Sequence, residues 1–163
     1  MRIEKLTKEH HRENFDCGNE FLNSFLKKYA YQNQSRYLVG VTYIAYENNK
    51  ICGYITLSAA SIKKVAIQSK KPYDDIPVLR VGRLGVDKNY QHKGVGKMLL
   101  KFALNKAIEL KENFGCVGVV VDAKEEAISF YEKFSFIKMQ TFEKHLTTPM
   151  YLSLKTILKL KNE

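Results

Sequence analysis

Two hydrophobic periods alternate along the chain, and each change of period marks an element. MRIEKL predicts a short first strand. In FDCGNEFLNSFLKKYAYQNQSR, residues 15–36, Phe21, Leu22, Phe25, Leu26, Tyr29 and Ala30 fall on one helical face, with Asn19 as the expected N-cap. Lys27, Lys28 and Arg36 lie off that stripe and predict a basic outer surface. VGVTYIAYE and ICGYITLSAASI, joined by Asn48-Asn49-Lys50, predict a hairpin of two strands rich in β-branched and aromatic residues. Residues 68–77, with two prolines, predict a polar loop. VLRVGRLGV then predicts a buried strand that ends at Asp87-Lys88-Asn89.

From Gly94 to Lys111 the apolar positions Val95, Met98, Leu99, Phe102, Ala103 and Leu110 return to helical spacing. CVGVVVDA has the length and continuity of a buried strand, KEEAISFYEKF that of a short amphipathic helix, and MYLSLKTILKL predicts a closing strand. The predicted order is β-α-β-β-β-α-β-α-β, an α/β fold with helices on a central mixed sheet. No repeat or low-complexity segment divides it, so residues 1–163 are expected to form one domain.

Composition narrows the function classes. With 45% hydrophobic residues the chain can bury a core without metals or disulfides. Three widely spaced cysteines, Cys17, Cys52 and Cys116, give no metal-ligand spacing and are expected to be reduced cytosolic thiols; no metal is expected. The start, MRIEKLTKEHHRENF, lacks the apolar run of a leader, and no stretch reaches membrane-spanning length. A cytoplasmic, membrane-free protein is the expectation. The formal charge of +10 favours polyanionic partners.

The most specific local chemistry lies in NYQHKGVGKMLLKFAL, residues 89–104. Strand, glycine turn and helix start together make an anion site, because first-turn N–H groups lack helical acceptors and glycine lets them approach a phosphate. A Walker A loop is excluded, since Gln91 stands where its first glycine belongs and Met98 where its hydroxyl belongs. A dinucleotide fingerprint lacks its third glycine, which is Leu99 here.

The longer string RLGVDKNYQHKGVGKMLL resembles motif A of the GCN5-related N-acetyltransferase (GNAT) superfamily, whose [QR]-x-x-G-x-[GA] core is Gln91-His92-Lys93-Gly94-Val95-Gly96 here. The resemblance implies acetyl-CoA as co-substrate and strands that splay at its site. It further implies that the backbone amides from His92 through Lys97 to Met98 hold the pyrophosphate, with Gln91 beside them at the cofactor, and that Leu84 and Val86 hold the pantetheine arm. DAKEEAISFYEKFSFIKM resembles motif B, F-Y-E-[KR]-x-G-F, and implies Tyr131 as the general acid. A phenol of pKa about 10 stays protonated at neutral pH and can serve a leaving thiolate of pKa about 8.5. Two positions depart from the family pattern. Ser135 replaces the glycine before the last Phe, at a cost of roughly 1 kcal/mol. Asp122 stands where many members carry asparagine.

FDCGNEFLNSFLKKYAYQNQ and VLRVGRLGVD resemble the TacT-type toxin branch, and the likeness runs from about residue 14 to 154. That branch implies acetylation of the α-amine of aminoacyl-tRNA, a ribbon-helix-helix antitoxin partner and a homodimer. An α-amine of pKa about 8 needs little help from a base, whereas lysine at about 10.4 needs much. His10, His11, His92 and His145 sit in polar contexts and none is expected to serve as base. Lys27, Lys28, Arg36, Arg80, Arg83 and Lys93 are the candidate RNA contacts. Arg83, in an apolar strand, needs a partner, either RNA or an internal carboxylate. A polyamine or protein amine as acceptor, and a non-catalytic CoA- or nucleic-acid-binding domain, are the competing readings.

Overall fold

In a computed structural model, residues 1–140 and 146–162 are described. Seven strands are hydrogen-bonded in the order β1-β2-β3-β4-β5-β7-β6: β1 Arg2–Lys5, β2 Val41–Glu47, β3 Lys50–Lys63, β4 Asp75–Val86, β5 Gly118–Ala123, β6 Ile137–Lys138 and β7 Thr148–Ser153. β4 and β5 run parallel, while β1–β2, β2–β3, β5–β7 and β6–β7 pair antiparallel, so the sheet is mixed as expected. The helices are α1 Glu20–Ser24, α2 Ala30–Ser35, α3 Val95–Asn113, α4 Ile128–Glu132 and α5 Leu154–Lys161.

The chain divides into two compact units, residues 1–58 with 82–103 and residues 59–81 with 104–163. In the first, the predicted hairpin turns at Asn48 and Asn49, both left-handed (φ 53° and 59°), the backbone that a two-residue turn between twisted strands requires. Leu6, Phe15, Phe25, Leu26, Ala30, Ile44, Ile51 and Tyr54 close its core. Asn19 caps α1 as expected, its side chain accepting from Leu22 N at 3.1 Å. The stripe on this helix is narrower than predicted: Phe21 is 85% exposed and Tyr29 53%. Residues Phe25–Tyr29 form a π turn, with Ala30 N bonded to Phe25 O, and Phe25, Leu26 and Ala30 stay buried while Tyr29 turns outward. α3 starts tightly against β3: a Cβ on Gly53 would meet Val95 Cγ1 at 3.0 Å and Leu99 Cδ1 at 3.1 Å.

In the second unit Val78, Val120 and Tyr151 form a core backed by Ile62, Ile67 and Met139. Two expectations fail here. The predicted closing strand is β7 followed by α5, because Ser153 Oγ accepts from Thr156 N at 3.1 Å and starts a helix that buries Leu154 and Ile157. The predicted 68–77 loop also loses its last three residues to β4, where Ile76 is buried.

Candidate active site

The glycine turn lies in the first unit. His92 (φ 62°) and Gly94 (φ 83°) are both left-handed, which turns the chain sharply before the 19-residue α3. A Cβ on Gly94 would meet nothing within 4 Å, so the space over the turn is open. The first helical bond runs from Met98 N to Gly94 O at 3.0 Å. The amides of Val95, Gly96 and Lys97 therefore precede the helical ladder, whereas the Met98 amide is already used. Lys93 and Lys97 are exposed, and Lys93 Nζ lies 5.7 Å from the centre of the Tyr90 ring. A hollow of about 310 Å³ adjoins the turn, lined by Tyr90, Lys93, Gly94, Val95 and Met98 together with Met1 and Glu47. Glu47 lies 3.3 Å from the Met1 nitrogen.

The turn rests on a polar network invisible to periodicity. Asp87 is 7% exposed, and its carboxylate accepts from Asn89 N at 2.9 Å and Asp16 N at 3.1 Å. Gln91 Nε2 donates to Val86 O at 2.9 Å and to Cys17 O at 3.1 Å, so its side chain faces the backbone of two segments. Asn23, buried, accepts from Cys17 N and donates to Asp16 Oδ1, both at 2.9 Å. Bonds from Gly18 N, Asn23 and Lys88 hold the Asp16 carboxyl down at about 2. The D-C-G-N string is thus a side-chain-bonded turn that feeds α1. Its Asp and Asn residues were the available signal for the local turn, but the bonds that tie Asp16 and Cys17 to Asp87 and Gln91 span some 70 residues.

Leu84 and Val86 lie on β4 beyond the register shared with β5, which covers Leu79–Val81. Arg83 is exposed and places its guanidinium 3.8 Å from the Phe25 ring centre, so neither RNA nor a carboxylate is needed to explain it within the chain. Arg80 reaches Asp122 at 3.2 Å, which gives the departing Asp122 a partner inside the protein. Both side chains are partly exposed, so the pair contributes at most about 1 kcal/mol. Lys28 and Arg36 are exposed, Lys27 is half-buried, and Arg36 leans on the Tyr37 ring at 5.6 Å. Among the described residues no ion pair involves Lys27, Lys28, Arg36, Arg83, Lys93 or Lys97.

Tyr131, in the second unit, is 6% exposed, with Phe130 and Phe136 against its ring at 5.2 and 5.4 Å. Burial pushes its phenol up to about 12, so it remains protonated at neutral pH. After α4 the chain closes with bonds from Phe136 N to Tyr131 O (3.2 Å) and from Ser135 N to Glu132 O (2.9 Å), and Ser135 takes φ 72°. That is a Schellman turn with serine at the glycine position.

His10 is half-buried and held on both ring nitrogens. Its Nδ1 accepts from Thr7 N at 2.9 Å, its Nε2 contacts Glu4 at 2.7 Å, and its ring packs edge-on to Tyr46. His11 and His92 are exposed, and His145 lies outside the described residues. Among the described residues no cluster of three or more His, Cys, Asp or Glu could hold a metal, and no helix is long and apolar enough to cross a membrane.

Residues 39–138 match the acetyltransferase (GNAT) domain family. The chain belongs to the GNAT family. A tRNA-acetylating toxin of Mycobacterium tuberculosis (strain ATCC 25618 / H37Rv) is 27% identical over 139 residues, which is 81% of each protein. The structure of AtaT complexed with acetyl-methionyl-tRNAfMet aligns with a TM-score of 0.90 at 29% identity, over 98% of both chains. A tyrosine-to-phenylalanine variant of AtaT, bound to the C-terminus of the antitoxin AtaR and to acetyl-CoA, aligns with a TM-score of 0.81 at 27% identity, over 99% of this chain and 98% of that one. Within a GNAT domain, the open glycine turn with its unused amides and flanking lysines fits the diphosphate of acetyl-CoA.

Proposed function

We propose that this protein is an acetyl-CoA-dependent N-acetyltransferase toxin that acetylates the α-amine of aminoacyl-tRNA and so blocks translation. The observation that carries the reading is the turn at Gly94, open above and followed by three amides that precede the helical ladder, inside a GNAT domain. Similarity to tRNA-acetylating relatives supports the acceptor.

Acetyl-CoA supplies the acetyl group as an activated thioester. The chain's own residues bind and orient it. The turn from Gln91 to Met98 lies at the diphosphate, with the amides of Val95, Gly96 and Lys97 as donors and Lys93 and Lys97 as flanking charges. The β4 backbone at Leu84 and Val86 lies along the pantetheine. Tyr131 holds a proton at its phenolic oxygen for the departing sulfur, and its burial keeps that proton in place. His10 has both ring nitrogens engaged, which leaves the acceptor to supply its own free amine. An α-amine, roughly a tenth free at pH 7, meets that requirement better than lysine. Lys27, Lys28, Arg36, Arg83 and Lys93 contact RNA phosphates, with Arg80 held by Asp122, and binding weakens steeply as salt rises.

In this reading residues 1–163 act as one cytoplasmic acetyltransferase domain, paired as a homodimer and covered by the tail of a ribbon-helix-helix antitoxin. The AtaT–AtaR complex supports an antitoxin partner. Purified protein incubated with labelled acetyl-CoA and a full set of charged tRNAs tests the activity. Label is expected on the amino acid of at least one charged tRNA; its absence from all of them would sink the proposal.

A further inference from the structure

Gln91 opens the glycine string, yet its side chain does not reach toward the open space over the turn. Its amide NH₂ has two N–H bonds, and both are spent on backbone carbonyls: Val86 O at the end of β4 and Cys17 O in the turn that feeds α1. The same two segments are joined by Asp16 N to Asp87, by Lys88 N to Asp16 O at 2.8 Å, and by the Lys88–Asp16 ion pair at 3.2 Å. One turn further along, Tyr54 Oη donates to Leu22 O at 2.8 Å, and Phe25 lies beneath Arg83. The start of α1 is therefore fastened to the strand end and turn that form the acetyl-CoA cradle.

We propose that Gln91 is a positioning residue, whose two donated hydrogen bonds set the spacing between the acetyl-CoA cradle and the α1 segment leading to Lys27 and Lys28, the proposed RNA contacts. The inference rests on the reading of the Gly94 turn as that cradle. It also gives a physical reason why the family string begins with Gln or Arg. Both end in several N–H donors, and two carbonyls that face one side chain can be satisfied by donors alone. A carboxylate of the same length offers none.

The test compares wild type with Gln91→Arg, Gln91→Glu and Gln91→Ala. CoA binding is measured calorimetrically from pH 5 to pH 8, steady-state kinetics with acetyl-CoA and charged tRNA at pH 7.5, and thermal melting on every variant. Gln91→Arg is expected to bind CoA within about threefold of wild type. Gln91→Glu and Gln91→Ala are expected to lose about tenfold at pH 8, as two hydrogen bonds of ordinary strength imply. KM rises for acetyl-CoA and for charged tRNA together, while kcat changes less than about twofold. Toward pH 5 Gln91→Glu regains affinity relative to Gln91→Ala, because a protonated carboxyl donates again.

A Gln91→Glu protein that binds CoA like wild type at pH 8, or tracks Gln91→Ala through the pH range, overturns the inference. So does a rise in the acetyl-CoA KM alone. If the Glu and Ala variants do not fold, Gln91→Arg still decides, since loss of CoA affinity in that folded variant overturns it. Failure of the wild type to bind CoA sinks the cradle reading itself, a separate outcome.

Discussion

The two family motifs of this chain are built from opposite materials. The glycine turn is polar and open, and its binding groups are backbone amides held in place by Asp87, Gln91 and Asn23. The segment around Tyr131 is an aromatic cluster in which one buried phenol, the proposed acid, is flanked by rings on either side. Binding a diphosphate needs many weak donors in a fixed arc, which a backbone supplies whatever its side chains are. Holding a proton needs one group of the right chemical kind, and burial sets how tightly that proton is held.

Removing that one group is the largest break. Tyr131→Phe keeps the ring and its packing and is expected to slow transfer by roughly 10²-fold or more, with CoA affinity unchanged by calorimetry. The proposed acid role needs the protonated phenol, and burial raises the Tyr131 pKa to about 12, so that contribution is expected to persist up to that pH and to be lost above it. The rate ratio of wild type to Tyr131→Phe should therefore stay flat from pH 7 through pH 10. A ratio that collapses between pH 9 and 10 would show an ordinary phenol.

Damage to the backbone arc has the opposite signature. Gly94→Val puts a branched Cβ into the open space at φ 83° and is expected to weaken CoA binding about tenfold with kcat little changed. Ser135→Gly sharpens the other side: relief of the left-handed serine should stabilise the protein by about 1 kcal/mol in chemical denaturation, without altering CoA affinity. Lys97→Ala should have the smallest effect, about threefold on the acetyl-CoA KM at low salt and none at high salt, because its exposed charge is screened.

Much that depends on short range was legible in the sequence. Asn19 as N-cap, the Asn48–Asn49 turn, Gly94 ahead of α3 and the left-handed burden on Ser135 are all local, and each is in place. Local reading failed where a competing local signal was overlooked. Ser153 is a helix cap embedded in an apolar run, and it turns the second half of a predicted strand into α5. Tyr29 fits a helical stripe of period 3.6, but the π turn at Phe25–Tyr29 changes the period there. The polar scaffold was beyond reach for a different reason: Asp16 with Asp87 and Cys17 with Gln91 are separated by 71 and 74 residues, and no periodicity reports such pairings. Arg83 illustrates the same limit, since the ring it lies over belongs to another segment.

That separation has a consequence for the order in which the chain acquires its properties. The turn that carries Asp16 leaves the ribosome early, and its partners at Asp87, Lys88 and Gln91 follow some seventy residues later. Closing so long a loop is slow compared with forming α3, which needs only its neighbours. During synthesis, the two sides of the cradle thus meet only after the segment carrying Gln91 has emerged, some seventy residues behind the turn it must hold.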